Sequence, residues 1–596
     1  MRKICSLIPA LLLVACGGAD EVGTTGGGPV ATAAGASTAQ PVTGCKATSS
    51  YNPWGVLPLR TWTPLSSDAP AEPHRAPGTA YGPAFQARLV WAYGANLGES
   101  SRVAEFEMAD GCRRRFRLSS LSDNDVAAIE QEADKHPLSE DTASYDTDYD
   151  LEPTSREALD AGTVRKVETQ HFTFWYGVKT DGFSYRWARD TGNDWNQLIE
   201  QSAQWLEAIW LWNRDILAAP MPYQDGDNRK KINMYVCGTG IPFFSDGDMG
   251  DCGASAAAGM WVSAPNLQAG GVTTIHEFGH VIQFYTGGFR DKSDAGPIWE
   301  VGAEWNAYVL SPNYVGFLPY YLNNLENGPL WSIARYGAQP FMSFLYEQDS
   351  TWPFVWESWT QNLRDSEGAT TEDYLQAFVR LGQAAGVYPH GFASFANDMG
   401  WYGARLAGMD FIDQRALIDA TTASATQTLA SHLYAPLAEG SGANQYVSSP
   451  ARPLLQFGTH LIPLTANGGT VQVTLTGDTT ANQAAWRFAL VAIENGTKVT
   501  YSDLGAVSGT NSATISRAVP QGAKLFLTVT ATPGAYETLG WQPAGAVTGT
   551  KFPYRVSISG ATPPTGDPAA CAANIAPNSR TLNYNTNGHN EHGRRC

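Results

Sequence analysis

The chain has 596 residues, of which 43% are hydrophobic and 11% aromatic, and its formal net charge is −18. This composition is typical of a globular protein, and the length predicts about two to four domains. The negative charge argues against nucleic acid as a partner and favours a protein that is soluble outside the cell.

The N-terminus has the features of an export signal. A basic start precedes the apolar run 8–14, which is shorter than the roughly 20 residues needed to span a bilayer, and the run ends in Leu-Val-Ala-Cys16. This end resembles the lipobox of bacterial lipoproteins, which are cleaved before the cysteine and lipidated on it. The resemblance implies a signal peptide at 1–16, a lipid anchor on Cys16 that holds the protein on a membrane, and a place in the bacterial cell envelope, at the outer membrane or cell surface. A plain secretory signal is the alternative.

The next two segments differ in composition, the first being typical of a flexible chain and the second of a folded domain. Residues 17–44 are rich in Gly, Ala and Thr and predict a flexible tether, whereas 45–135 predict a small β-rich domain. Within it, the run Arg113–Arg115 is interpreted as a solvated face. The acidic segment 136–165 predicts a linker or a propeptide-like segment. Its carboxylates make a calcium site possible, but no EF-hand spacing supports one.

Cysteine usage agrees with export. Of eight cysteines, Cys5 and Cys16 belong to the signal and the lipid site, which leaves six. Many pairings are open to six cysteines, and the pairing of sequence neighbours is the simplest: 45–112, 237–252 and 571–596. Free or metal-binding cysteines are the alternative, but no CxxC spacing supports it.

A catalytic domain is predicted at 166–440. It begins with a buried strand at 171–176, in which His171 is interpreted as a strand-end histidine. A helix with a buried aromatic stripe follows, and then strands at 231–236 and 259–263. The segment 311–435 is predicted to be mainly helical.

The segment Thr274-Ile-His-Glu-Phe-Gly-His280 contains the pattern HExxH. On a helix, residues at i and i+4 share one face, so His276 and His280 can bind the same ion. Glu277 is placed to take a proton from a water molecule on that ion. A threonine at the start and Gly287 at the end predict the limits of this helix.

A second helix supplies a further ligand. Glu300 lies 20 residues after His280, behind Pro297, and Glu304 follows one turn later on the same face. One carboxylate can bind the ion while the other orients a ligand imidazole. Gly302 leaves room for the two helices to approach each other.

These two segments resemble the gluzincin metallopeptidases, which include thermolysin and the zinc aminopeptidases. The resemblance implies an α+β catalytic domain with a mixed sheet and helices, one Zn²⁺ bound by His276, His280 and Glu300, and Glu277 as general base. Glu304 then falls at the position of a supporting carboxylate. The resemblance also implies that strand 259–263 lies at the edge of the cleft and pairs with a peptide substrate.

A gluzincin usually has a Tyr or His that stabilises the oxyanion. Tyr336, just before an apolar helix, is the candidate, and His390 is the alternative. Residues 441–560 contain short alternating runs between Gly, Asn and Pro turns, which predict a β-sandwich, and 561–596 form a polar tail.

Together these features predict a surface-tethered zinc endopeptidase. The chain lacks the Gly-x-Met-Glu-Asn motif of zinc aminopeptidases, which favours cleavage within chains. The wider frame resembles bacterial lipoproteins with HExxH. Some HExGH enzymes with a β-sandwich accept glycosylated peptides, so a glycoprotein-directed peptidase is a second hypothesis. The third is a non-enzymatic adhesion or scaffold lipoprotein with a structural zinc site.

Overall fold

A computed structural model describes most of the chain between residues 45 and 564. The described residues are 45–65, 82–92, 102–149, 153–180, 195–223, 229–241, 253–256, 259–267, 271–290, 296–310, 317–330, 335–425, 434–538 and 549–564. Over these residues the fold is mixed α and β, with four sheets. The predicted signal peptide, tether, Cys16 and tail lie outside them.

The first sheet is antiparallel and contains four strands in chain order. They are β1 (Arg60–Trp62), β2 (Phe85–Ala92), β3 (Val103–Met108) and β4 (Arg113–Arg117). Helix α1 (Asp123–Ala133) follows, and the side chain of Ser122 caps it by accepting from the Asp125 N–H. A disulfide joins Cys45 to Cys112 with a Cα–Cα distance of 5.6 Å, so this predicted pairing is confirmed. Cys237 is also disulfide-bonded, and its partner lies outside the described residues.

The interpretation of Arg113–Arg115 as a solvated face is wrong. Arg113 is 1% exposed and Arg115 is 9% exposed. Arg115 forms ion pairs with Glu105 and with Asp413, which lies 298 residues later in the chain. The cause is tertiary: β4 packs against a distant segment whose carboxylates compensate the buried guanidinium groups.

The central sheet has the order β5–β6–β7–β9–β8. Strands β6, β7 and β9 run parallel, and the antiparallel strands β5 and β8 form the edges. The crossover between β6 and β7 contains helix α3, whose predicted aromatic stripe is buried from Leu198 to Trp212. The bounds are β5 (Val164–Glu168), β6 (Phe172–Gly177), α3 (Trp195–Asp215), β7 (Ile232–Cys237), β8 (Gly253–Ala256) and β9 (Gly259–Ser263).

The predicted edge position of strand 259–263 is wrong. Strand β9 pairs with β7 on one side and with β8 on the other, so its backbone is used on both sides. Only two residues separate β8 from β9 in the chain, and the two strands pair as a hairpin that places β8 outermost. Among the strands that the structure describes, β8 is therefore the outermost on this side.

Residues 141–149, within the predicted linker, pack along the central sheet after helix α1. Asp146 forms a bridge with Lys230, and the Asn233 amide donates to the Asp148 carbonyl at 3.0 Å. His171 precedes β6 and contacts Asp141 through Nε2 at 3.0 Å and Glu207 through Nδ1 at 2.5 Å. It is a satisfied strand-end histidine, as predicted. Helix α2 (Pro153–Asp160) then leads into β5.

A helical region follows the central sheet. Its first two helices, α4 and α5, contain the HExxH segment and the Glu300 segment. Gly403 of α10 lies close to Thr459 and Thr530, so α10 packs on one of the two C-terminal sheets. The helices are α4 (Val272–Thr286), α5 (Gly296–Leu310), α6 (Leu318–Leu322), α7 (Gln339–Tyr346), α8 (Trp352–Thr360), α9 (Tyr374–Ala384), α10 (Phe392–Leu406) and α11 (Gln414–Ala425).

Two antiparallel sheets at the C-terminal end share one apolar core. One has the order β10–β11–β19–β13–β17, and the other has β15–β14–β18–β12–β20, with β16 on β14. Val473 and Val556 of the first sheet pack in the same core as Trp486 and Leu527 of the second. The strands are β10 (Ala438–Glu439), β11 (Gln445–Val447), β12 (Thr459–Ala466), β13 (Thr470–Gly477), β14 (Ala485–Glu494), β15 (Lys498–Tyr501), β16 (Gly505–Ser508), β17 (Ser512–Ala518), β18 (Lys524–Ala531), β19 (Tyr554–Ser559) and β20 (Ala561–Thr562).

None of the helices among the described residues has both the length and the apolar character needed to cross a membrane.

Candidate metal centre

Helix α4 forms because an apolar stripe faces the core along its length. Ile275, Phe278 and Ile282 are each fully buried, as predicted. The helix ends at Gly287, whose φ of +72° is the left-handed conformation that glycine adopts most easily. Its N-cap is Gly271 rather than a threonine, because the helix begins at Val272 and both Thr273 and Thr274 lie within its first turn. The Thr274 hydroxyl donates to the Asn266 carbonyl instead.

Helices α4 and α5 approach each other closely through small residues. A Cβ atom at Gly279 of α4 would lie 3.1 Å from the Cα atom of Ala303 of α5. Larger side chains at this crossing would separate the helices. Small residues therefore allow side chains of the two helices to meet at one point.

The point where they meet contains two histidines and one carboxylate. Oε2 of Glu300 lies 3.4 Å from Nε2 of His276 and 3.4 Å from Nε2 of His280. One ligand atom from each of the three residues lies within 4.8 Å of the other two. The planes of the two imidazole rings are nearly perpendicular, at 88°, and both Nε2 atoms lie on the side of the Glu300 carboxylate.

The other nitrogen of each imidazole is held by a neighbouring side chain. Nδ1 of His276 lies 3.0 Å from Oε2 of Glu304, and Nδ1 of His280 lies 2.8 Å from Oε1 of Gln283. Glu304 was singled out from the sequence, but Gln283 was missed. Its signal is its spacing, three residues after His280 on the same helix face.

At this site, burial and the charges of neighbouring groups shift the pKa values of the side chains in opposite directions. Burial lowers the pKa of His276, but the carboxylates of Glu300 and Glu304 outweigh it and hold that pKa well above its ordinary value. Burial raises the pKa of Glu300, yet the two imidazoles hold it well below the usual range. For Glu304 burial prevails, and its pKa is raised.

Glu277 follows His276 on α4 and is 7% exposed. The ring of Tyr336, which is partly buried, lies 5.9 Å from the ring of His276. The guanidinium carbon of Arg335 lies 4.5 Å from the centre of the Tyr336 ring. His390 is exposed on the turn between α9 and α10, where its N–H donates to Ser394. The structure thus brings Tyr336 beside His276.

The donor set fits zinc. Zinc takes imidazole nitrogen and carboxylate oxygen at about 2.0–2.1 Å, and two such ligands of a tetrahedral ion lie about 3.3–3.4 Å apart. The two Nε2–Oε2 distances are both 3.4 Å. Among the described residues the cluster has three ligands, which is the number of protein ligands in catalytic zinc sites.

Among the described residues, one other group brings metal-binding atoms together, and it contains Cys45, Cys112 and Asp410. The two cysteines are joined in a disulfide and offer no thiolate. The acidic residues Asp246, Asp248 and Asp251 lie outside the described residues.

Comparisons with known proteins give one family match and distant structural neighbours. Residues 139–565 match the model of a family of unknown function, DUF6055. No curated protein matches the sequence. The M60 catalytic domain of ZmpC from Clostridium perfringens, solved in complex with the sialyl T antigen, is similar at 13% identity and a TM-score of 0.26, with 81% of this chain and 92% of that chain covered. The ZmpB metallopeptidase from Clostridium perfringens is similar at 12% identity and a TM-score of 0.28, with 77% and 89% covered.

Proposed function

The chain belongs to DUF6055, a family of unknown function, so its activity has to be inferred from the geometry of the site. We propose that the protein is a zinc-dependent endopeptidase. The observation that carries the proposal is the geometry of the three ligand atoms. Both Nε2–Oε2 distances, at 3.4 Å, equal the separation of neighbouring ligands on a tetrahedral zinc ion.

Two histidines hydrogen-bonded to a glutamate are the simplest alternative to a metal site. N–H···O hydrogen bonds have donor–acceptor distances of about 2.7–3.2 Å, and both contacts to Glu300 are longer. In addition, Nδ1 of His276 lies at hydrogen-bond distance from the Glu304 carboxylate, so in the neutral imidazole that a metal ion binds, Nδ1 carries the proton and Nε2 presents its lone pair on the side of Glu300. A proton or a metal ion between Nε2 and the Glu300 carboxylate satisfies both groups, and the two distances of 3.4 Å, which are longer than a hydrogen bond, favour the metal ion.

Zinc bound at this position would act as a Lewis acid that lowers the pKa of a water molecule toward about 7 and polarises a carbonyl group. The Glu277 carboxylate takes the proton that the attacking water loses and passes it to the leaving nitrogen. The Tyr336 hydroxyl donates a hydrogen bond to the oxygen that gains negative charge. The outer edge of β8 offers backbone groups with which an extended peptide can pair.

The other hypotheses differ from this one in substrate or in the fourth ligand position. A glycoprotein-directed peptidase would use the same residues and require a glycan on the peptide. A structural zinc site would have a fourth protein ligand, whereas the cluster among the described residues has three. Anchoring through Cys16 in the cell envelope completes the proposal, and lipid analysis of the exported protein tests that part.

The central experiment measures zinc content and peptide cleavage in the same preparations of the purified protein. The wild type is expected to contain one zinc per chain and to cleave within peptides of a library read by mass spectrometry, which includes matched glycosylated and unglycosylated peptides. His276→Ala is expected to lose both properties. His136→Ala is the matched control, because His136 contacts Glu132 outside the site.

Unaltered zinc content in His276→Ala would refute the ligand assignment. A wild type that contains zinc but cleaves none of the peptides would refute the peptidase and favour the structural site.

A further inference from the structure

We infer that Gln283 is a positioning residue that fixes both the tautomer and the orientation of His280 and sets its distance from Glu300. The inference rests on the proposed function only in that the ion held there is taken to be zinc. It concerns a residue that the sequence patterns did not single out, and its evidence is the path of hydrogen bonds through one amide.

Gln283 lies on α4 and is 1% exposed. Its Oε1 atom is 2.8 Å from Nδ1 of His280, and its Nε2 atom donates to the backbone carbonyl of Trp299 at 3.0 Å. Trp299 is the residue before Glu300 on α5. One side chain therefore connects a histidine of the first helix to the backbone next to the carboxylate of the second.

These two contacts determine which way the amide faces. A backbone carbonyl can only accept, so the amide NH₂ group must point to Trp299 and the amide oxygen must point to His280. That oxygen also only accepts, and Nδ1 of His280 must therefore carry the proton. In the neutral imidazole, Nε2 of His280 then keeps its lone pair on the side of Glu300, which is the tautomer a metal ion requires.

The position of Gln283 depends on Gly302 of α5. A Cβ atom at Gly302 would lie 2.5 Å from Nε2 of Gln283, so any side chain there would displace the amide. The next atoms are Cδ of Gln283, at 3.8 Å from that Cβ, and Cζ2 of Trp359, at 3.9 Å, and both are ordinary contacts. An alanine at 302 would thus move Gln283 while fitting its other neighbour.

Three variants test the inference. Gln283→Leu keeps the approximate volume but removes both hydrogen bonds. Gly302→Ala leaves Gln283 in the chain and displaces its amide. Gln456→Leu is the matched control, because Gln456 is also buried and also accepts and donates one hydrogen bond, both to the backbone of Glu537.

The readouts are the zinc dissociation constant, measured by competition with a chelating dye, the visible absorption spectrum of the cobalt-substituted protein, and the unfolding temperature of the metal-free protein. Loss of a residue that orients a ligand histidine weakens metal binding by about 10–100-fold. We expect Gln283→Leu to weaken zinc binding in this range, Gly302→Ala to weaken it in the same direction, and both to change the cobalt spectrum. Gln456→Leu should leave zinc affinity and spectrum unchanged even where it lowers the unfolding temperature.

Zinc binding as tight as in the wild type, in a folded Gln283→Leu protein or in Gly302→Ala, would overturn the inference. A loss of affinity in Gln456→Leu equal to that in Gln283→Leu would also overturn it, since the effect would then be one of general stability. A wild type that binds no zinc would instead overturn the proposed function, so the two failures are distinguishable.

Discussion

Nδ1 of His276 lies 3.0 Å from Oε2 of Glu304, which follows Glu300 by one turn on α5. The second oxygen of Glu304, Oε1, is buried without a hydrogen-bond partner among the described residues. A carboxylate buried at this cost is best explained by its contact with His276. We predict that Glu304→Ala weakens zinc binding by about 10–100-fold, because the imidazole is then free to rotate.

Glu304→Gln should lose less affinity than Glu304→Ala, because an amide oxygen still accepts from His276 but without the charge. Zinc competition titrations of both variants check this order. If Glu304→Ala binds zinc as tightly as the wild type, the carboxylate does not orient the histidine.

Glu277 is expected to act on the proton and not on the metal. Glu277→Gln should therefore keep one zinc per chain while kcat/KM falls by about 10²–10⁴-fold, the usual contribution of general acid–base catalysis. Glu300→Gln is the contrasting variant and should lose zinc as well as activity. Metal analysis and peptide cleavage on the same samples check both, and retained activity in zinc-loaded Glu277→Gln would exclude its role as the base.

Tyr336 is expected to stabilise charge in the transition state. Its ring lies 5.9 Å from that of His276, and Tyr336→Phe removes only the hydroxyl. We predict that kcat falls by about 10²–10³-fold, the effect of losing one oxyanion donor, with zinc content and KM nearly unchanged. His390→Ala, on the exposed turn, should have little effect. The reverse result, with loss in His390→Ala alone, would transfer the role to His390.

The sequence predicted those features of the site that depend on local spacing. His276 and His280 face one point because helical residues four apart share a face, and Glu300 and Glu304 repeat that spacing on the next helix. The position of β8 outside β9 was not predicted, because strand order in a sheet depends on pairing between segments and not on the strand's own residues.

Arg115 was misjudged for a similar reason. A cluster of three arginines is usually solvated, and its burial is possible only because Asp413, nearly 300 residues away, compensates the charge. No pattern around Arg115 itself indicates that partner. For Gln283, in contrast, the sequence shows the spacing from His280. It does not show that the Trp299 carbonyl of another helix holds the Gln283 amide in place.

Asp410 joins three parts of the chain. It is fully buried, and its carboxylate accepts from the Lys46 N–H at 2.8 Å, from Arg114 at 2.8 Å and from the Tyr501 hydroxyl at 2.7 Å. Breaking a buried ion pair by removing one partner costs about 3–5 kcal/mol. We predict that Asp410→Ala lowers the free energy of unfolding by that amount and that its residues 45–135 are proteolysed faster. The wild type is expected to be fully active while residues 45–135 remain part of the chain.

Asp419→Ala is the matched control for Asp410→Ala. Its carboxylate pairs with Arg415 at 3.0 Å on the exposed surface of α11, where such pairs contribute about 0.3–0.5 kcal/mol. Equal unfolding free energies for the two variants, measured in denaturant, would show that the buried junction does not hold the first sheet in place.

His460 should make the stability of the protein depend on pH. It is buried in β12, its Nε2–H donates to the Arg452 carbonyl at 2.8 Å, and its Nδ1 accepts from the Tyr554 hydroxyl at 2.9 Å. Burial, followed by the positive charge of Arg452, lowers the pKa of His460 from 6.5 to about 4. The unfolded chain therefore binds a proton between these pH values that the folded chain does not bind.

The contribution of neutral His460 to the free energy of unfolding is fully present above about pH 6.5 and is lost as the pH falls toward 4. The loss amounts to roughly 3 kcal/mol. His460→Gln can make the same two hydrogen bonds but cannot titrate. We predict that the difference in unfolding free energy between wild type and His460→Gln, measured in denaturant at several pH values, shifts against the wild type as the pH falls through this window. Because the other titrating groups are common to both proteins, they cancel in the difference, and a difference independent of pH would show that His460 does not stay neutral in the fold.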